Sequence, residues 1–129
     1  MSDWVWINPT VVIALHEEQL AEHGGPSGLR NADALASALM RPRHKAEYGD
    51  PEAAELAAAY AFGLARNHPF VDGNKRTALV AAELFLELNG WTLTASDAAC
   101  VALTLGLAAG QIDEEELTDW IRRNSKPSA

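Results

Sequence analysis

The sequence predicts an all-α fold, a compact bundle of about six helices around a central buried helix. Three observations predict it. Helix-capping residues recur along the chain, two of them followed directly by proline. Apolar residues between the caps fall at helical spacing. Glycine, proline or an Asn-Gly pair closes most of these stretches. A chain of 129 residues, 48% hydrophobic and 22% charged, fits one domain spanning 1–129 that buries a core without disulfides.

The elements follow in order. Asn8-Pro9 caps and opens a first helix with Val12, Ile13, Leu15 and Leu20 on one side, closed by Gly24-Gly25. Asn31 or Asp33 starts a second, which buries Leu35, Ala38 and Leu39 and stops at Pro42. Met40–Gly49 has no clear period and reads as the longest irregular segment. Asp50-Pro51 opens an Ala-rich third helix carrying Leu56, Tyr60 and Leu64, ending near Asn67 because Pro69 follows. The fourth, central helix starts around Asn74 and ends at Asn89-Gly90. Between Thr77 and Leu88 its only charges are Glu83 and Glu87, four apart on one face. Ser96 or Asp97 caps a fifth helix running to Gly110. Asp113 with Glu116 forms a capping box for a sixth, burying Leu117, Trp120 and Ile121. Trp4–Ile7 reads as a short strand and Asn124–Ala129 as a frayed tail.

Composition excludes several classes of function. The single cysteine, Cys100, forms no internal disulfide or multi-cysteine metal site and reads as a small buried residue. The N-terminus lacks the basic flank and apolar run of a secretion signal, and no stretch suits a membrane span, so the expected compartment is the cytoplasm. A net charge of −8 argues against direct DNA or RNA binding. Residues 41–76 nevertheless hold six of the ten Lys and Arg against five acids. Positive charge gathered mid-chain suits a small anionic ligand at one place.

The chemistry gathers in His68-Pro69-Phe70-Val71-Asp72-Gly73-Asn74-Lys75-Arg76-Thr77, between the third helix and the central one. A helix N-terminus offers free amides and a positive dipole end to an anion. Gly73 admits a positive φ, so that successive amides can form a phosphate nest. Lys75 and Arg76 place two cations where the dipole disfavours them, a conflict that an anion resolves. Asp72 is a hard oxygen ligand of the kind magnesium takes beside phosphate oxygens. His68 suits a general base near neutral pH, and Phe70 anchors the loop by burying its ring. Base, metal ligand, nest and clamp are the parts of phosphoryl or nucleotidyl transfer.

This run resembles the active-site motif of the Fic/Doc superfamily, H-x-F-x-[DE]-[AG]-N-[GK]-R. The likeness extends to Leu15-His16, Gly24-Gly25, Gly28-Leu29-Arg30, Leu86-x-x-Asn89-Gly90 and Gly106 to Gly110, and covers Asn8 to Arg123. It is similar to the Doc, or death-on-curing, toxin branch. The discriminating residue is Lys75: AMP-transferring members carry glycine there, whereas lysine accompanies an inverted nucleotide with its γ-phosphate facing the acceptor. The resemblance thus implies a type II toxin that uses ATP and Mg2+ to phosphorylate a threonine of elongation factor Tu and block translation. Gly73, where phage-plasmid Doc has alanine, retains Fic character and keeps AMP transfer to a protein hydroxyl as the alternative. A catalytically weak nucleotide-binding regulatory subunit is the other. Fic self-inhibition uses [ST]-x-x-x-E-[GN], and no Ser or Thr here has Glu four residues on. Restraint is therefore expected from another chain, an antitoxin of the prevents-host-death type.

Outside the motif the expectations are structural. His16 reads as a hydrogen-bonded core histidine, and Trp4, Trp6, Trp91 and Trp120 as core or interface anchors. Arg41, Arg43, His44 and Lys45 read as a solvated loop, or, through the resemblance, as a flap aligning a target peptide.

Overall fold

The computed structural model describes residues 3–128; Met1, Ser2 and Ala129, the last of them the end of the expected frayed tail, lie outside the described residues. The order is α1 (Pro9–His23), α2 (Ala32–Glu47), α3 (Ala53–Asn67), α4 (Asn74–Leu88), β1 (Trp91–Leu93), α5 (Asp97–Ala108), α6 (Glu114–Arg123) and β2 (Ser125–Pro127). The all-α class holds: helices carry the described fold, and β1 and β2 form one small antiparallel ribbon.

Local chemistry sets most of the helix starts. Asn8 caps α1 by accepting from Thr10 N at 2.9 Å. Asn31 caps α2 and Ser96 caps α5 in the same manner. Asp113 and Glu116 form the expected reciprocal box at α6. The start of α3 differs from the expectation. Glu52, boxed with Glu55, caps it instead of Asp50-Pro51.

The helix α3 is the most deeply buried element: Leu56, Tyr60, Leu64 and its alanines are inaccessible to solvent or nearly so. Small side chains let neighbours come close. A Cβ on Gly63 would lie 3.3 Å from the backbone of Ala38 in α2. Against α3 packs α4, which buries Thr77, Ala78, Ala81, Ala82, Phe85 and Leu86 while Glu83 and Glu87 face solvent, as their spacing predicts. Although Glu83 lies on the exposed stripe, partial desolvation by its neighbours, then the charges of Glu87 and Asp97, push its pKa up.

Three further expectations are corrected. Proline 42 does not stop α2, which continues to Glu47 and abolishes the irregular 40–49 segment. Its ring is fully buried, so packing offsets the lost helical hydrogen bond, and Arg41 and Lys45 pair with Glu114 of α6. The segment Trp4–Ile7 belongs to no sheet. The side chain of Asn89 accepts from Val5 N at 2.8 Å and donates to Val5 O at 3.0 Å, while Trp4 and Trp6 lie on Phe85. The tail pairs instead of fraying: Ser125–Pro127 runs antiparallel to Trp91–Leu93, held at its ends by Thr94 N to Asn124 O and Ser128 N to Gly90 O.

Candidate active site

The end of α3, the start of α4 and the loop between them carry the motif residues of the site. The helix α3 ends at His68, whose backbone is left-handed (φ 47°, ψ 55°). Among the described residues it is the only non-glycine at positive φ. Pro69 forbids a further helical turn. The chain then runs beside the Gly24–Asn31 loop, which grips it. Arg30 Nε and Nη2 both donate to the His68 carbonyl, at 3.0 and 2.6 Å. The amides of Arg30 and Asn31 donate to Pro69 O, and Val71 N donates to Gly28 O. Leu29 and Phe70 form an isolated antiparallel bridge.

Phe70 is the expected anchor. Its ring is 2% exposed and stacks on His16 with centroids 3.8 Å apart. His16, buried as expected, donates through Nε2 to the Asp72 carbonyl at 2.7 Å. The Asn74 side chain closes the loop from the other side. Its Oδ1 accepts from Phe70 N at 2.9 Å and its Nδ2 donates to Phe70 O at 3.0 Å. Both polar ends of Asn74 are thus engaged, and what it offers a ligand is its backbone N–H.

Gly73 takes φ +77° and stands before α4 as its cap, without a side-chain capping bond. Asp72 does not cap the helix. Its Oδ1 accepts from Gly73 N at 2.8 Å and its side chain is exposed. A Cβ on Gly25 would lie 2.6 Å from Asp72 Oδ2, so glycine there leaves the carboxylate its place. Three amides at the start of α4, those of Asn74, Lys75 and Arg76, have no helical acceptor.

His68, Asp72, Gly73, Asn74, Lys75 and Arg76 therefore come together, lining with Val71 and Thr104 a cleft of about 270 Å3. Neither Lys75 nor Arg76 forms an ion pair among the described residues, and the buried Nε of Arg76 has no partner. Desolvation, then the charges of Lys75 and Arg30, hold the His68 imidazole below its ordinary pKa of 6.5. The imidazole thus stands beside a cationic helix start that disfavours its charged form.

No group of three metal-binding side chains occurs among the described residues. Asp72 alone fits a magnesium ion that takes its other oxygens from phosphate and water. An unpartnered guanidinium nitrogen, free amides and one exposed carboxylate suit a magnesium–polyphosphate ligand.

The residues that the motif did not reveal are His16, Gly25, Arg30 and Thr104. The glycines before Arg30 were the one signal for a tight loop; its docking on the motif is a tertiary fact. The segment read as a solvated loop or a flap is instead the last turns of α2, where Arg43 lies over Trp6 at 5.2 Å and Arg41 and Lys45 face Glu114. Cys100 is half-buried instead of buried. Among the described residues no helix is long and apolar enough to cross a membrane.

Comparisons with known proteins identify the family. A family model described as the Fic/DOC family matches residues 6–86. The chain is 35% identical over 118 residues to "Protein kinase doc" of Escherichia phage P1, covering 91% of this chain and 93% of that protein. It is 45% identical over 74 residues to "Toxin Doc" of Mycolicibacterium smegmatis, covering 56% and 57%. On the evidence of the matched model and of a relative alike along nearly its whole length, the chain belongs to the Fic/DOC family.

Proposed function

We propose that the chain is the toxin of a type II toxin–antitoxin pair and an ATP-dependent kinase that phosphorylates a threonine of elongation factor Tu, blocking translation. The observation that carries the reading is the His68 imidazole in one cleft with Lys75 and Arg76, two cations at a helix start that form no ion pair among the described residues. The names of the two relatives support it.

The residues divide the work. His68 accepts the proton of the threonine hydroxyl as the phosphorus–oxygen bond forms. The amides of Asn74, Lys75 and Arg76, with the Lys75 and Arg76 side chains, hold phosphate oxygens and neutralise charge that grows in the transition state. Gly73 keeps the nest open, and Phe70 keeps the loop rigid. Asp72 would hold magnesium through Oδ2, since Oδ1 already accepts from Gly73 N. When bound, Mg2+–ATP supplies the transferable phosphoryl group and a metal that offsets phosphate charge.

An antitoxin of the prevents-host-death type is the proposed partner. Beside Arg76 lies an apolar groove of about 300 Å3 that includes Leu79, Val80, Val101 and Leu105, with Val101 and Leu105 largely exposed. A segment that folds into a helix on binding would cover such a face. We place its action at the target's approach, which it blocks, and not in mimicry of phosphate.

Induction in growing cells tests the reading. Wild-type chain should arrest growth and protein synthesis, His68→Ala should be harmless, and co-expression of the adjacent antitoxin should restore growth. Equal harmlessness of wild type and His68→Ala without a partner would favour the regulatory-subunit reading.

A further inference from the structure

Taking His68 as the base, as proposed above, we infer that Arg30 is a positioning residue of the transfer reaction, its guanidinium fork holding His68 in the left-handed conformation that turns the imidazole into the cleft.

His68 needs such a hold. A side-chain-bearing residue in the left-handed region is sterically disfavoured, and His68 is the only one of its kind among the described residues. A glycine or asparagine at this helix end would adopt the conformation more readily. Histidine there satisfies a different demand, and the backbone requires outside support.

That support comes from 38 residues away in sequence. Two guanidinium N–H groups of Arg30 converge on one carbonyl oxygen, that of His68, at 3.0 and 2.6 Å. The backbone of the same residue continues the grip, since Arg30 N donates to Pro69 O at 2.7 Å. Both carbonyls following the end of α3 are therefore capped by one residue. No carboxylate pairs with Arg30 among the described residues, so the full cation faces His68. The charge has a second effect. After desolvation and the charge of Lys75 in α4, it further disfavours the imidazolium. A lysine at position 30 would keep that charge but could not place two fixed donors on one oxygen.

Arg30→Lys and Arg30→Met separate the two effects. Steady-state transfer, the 13C resonance of the His68 carbonyl and the NMR titration of the His68 imidazole are followed in the full chain. Both variants should retain KM for ATP and lose turnover by about 10- to 100-fold, the scale of a misplaced catalytic group. The His68 carbonyl resonance should move in both. The imidazole midpoint should rise in Arg30→Met and stay near wild type in Arg30→Lys. Wild-type turnover in both variants, an unmoved carbonyl resonance, or a raised KM with intact turnover would each overturn the assignment. Absence of transfer by the wild type would refute the kinase reading, while the carbonyl and titration results would still decide whether Arg30 holds and charges His68.

Discussion

Asn74→Ala is the most telling single substitution in the loop. The Asn74 side chain is 7% exposed, and its two polar atoms bond both backbone groups of Phe70, itself 2% exposed. Truncation leaves one buried N–H and one buried C=O without partners. Each costs about 1–3 kcal/mol when unsatisfied. Water entering the vacated space recovers part, so a loss of ~2–4 kcal/mol is expected, a large share of the roughly 5–15 kcal/mol that stabilises a typical domain. Asn74→Asp keeps an acceptor for Phe70 N but sets a carboxylate oxygen against Phe70 O, and should lose a comparable amount. Urea denaturation with an unchanged m-value reads the loss. Hydrogen exchange at the Phe70 amide should accelerate in both variants. A loss below ~0.5 kcal/mol with that amide still protected would refute the claim that Asn74 closes the loop.

Other predictions concern the site's chemistry. His68→Ala should abolish transfer with little change in ATP affinity, because a base acts in the transition state; isothermal titration with ATP checks the second half. Arg76→Ala should weaken nucleotide binding by about 10- to 100-fold and also slow transfer, the effect of losing a charged phosphate contact. The depressed pKa of His68 places the acid limb of the pH–rate profile below the ordinary 6.5, and Lys75→Gln should move that limb upward. The fold favours neutral imidazole, so the matching stability contribution is present above the ordinary pKa and is lost as pH falls through the folded one. Gly25→Ala should displace Asp72 and raise the magnesium concentration needed for activity, whereas Gly24→Ala, with nothing within 4 Å of its Cβ, should cost stability alone.

Much of the fold was legible because it is locally encoded. Asn8, Asn31, Ser96 and the Asp113–Glu116 box act on amides within three residues, and the structure uses each as its side chain dictates. The active-site run was legible for the same reason. His68, Asp72, Asn74 and Arg76 are close in sequence, so a helix end, a proline and a glycine turn already bring them near one cleft. What stayed hidden depends on contacts across the chain. Pro42 reads as a stop until its ring is seen to be buried. The pairing of Ser125–Pro127 with Trp91–Leu93 joins segments more than thirty residues apart, and a tail of Ser, Lys and Pro gives no local strand signal. The links from Arg30 to His68 and from His16 to Asp72 are side-chain-to-backbone bonds, which leave no periodic trace.

Transfer of label from ATP tests the central claim most directly. The purified chain, magnesium and elongation factor Tu are incubated with ATP carrying label at the γ-phosphate in one sample and at the α-phosphate in the other. His68→Ala serves as the blank, and a parallel sample contains excess antitoxin. A kinase places γ-label on a threonine of elongation factor Tu, leaves it free of α-label, and does neither as His68→Ala or with the antitoxin bound. Label from the α-phosphate on the target would contradict the kinase account and establish AMP transfer. Label from neither position, with ATP binding intact, would leave a nucleotide-binding subunit in place of an enzyme.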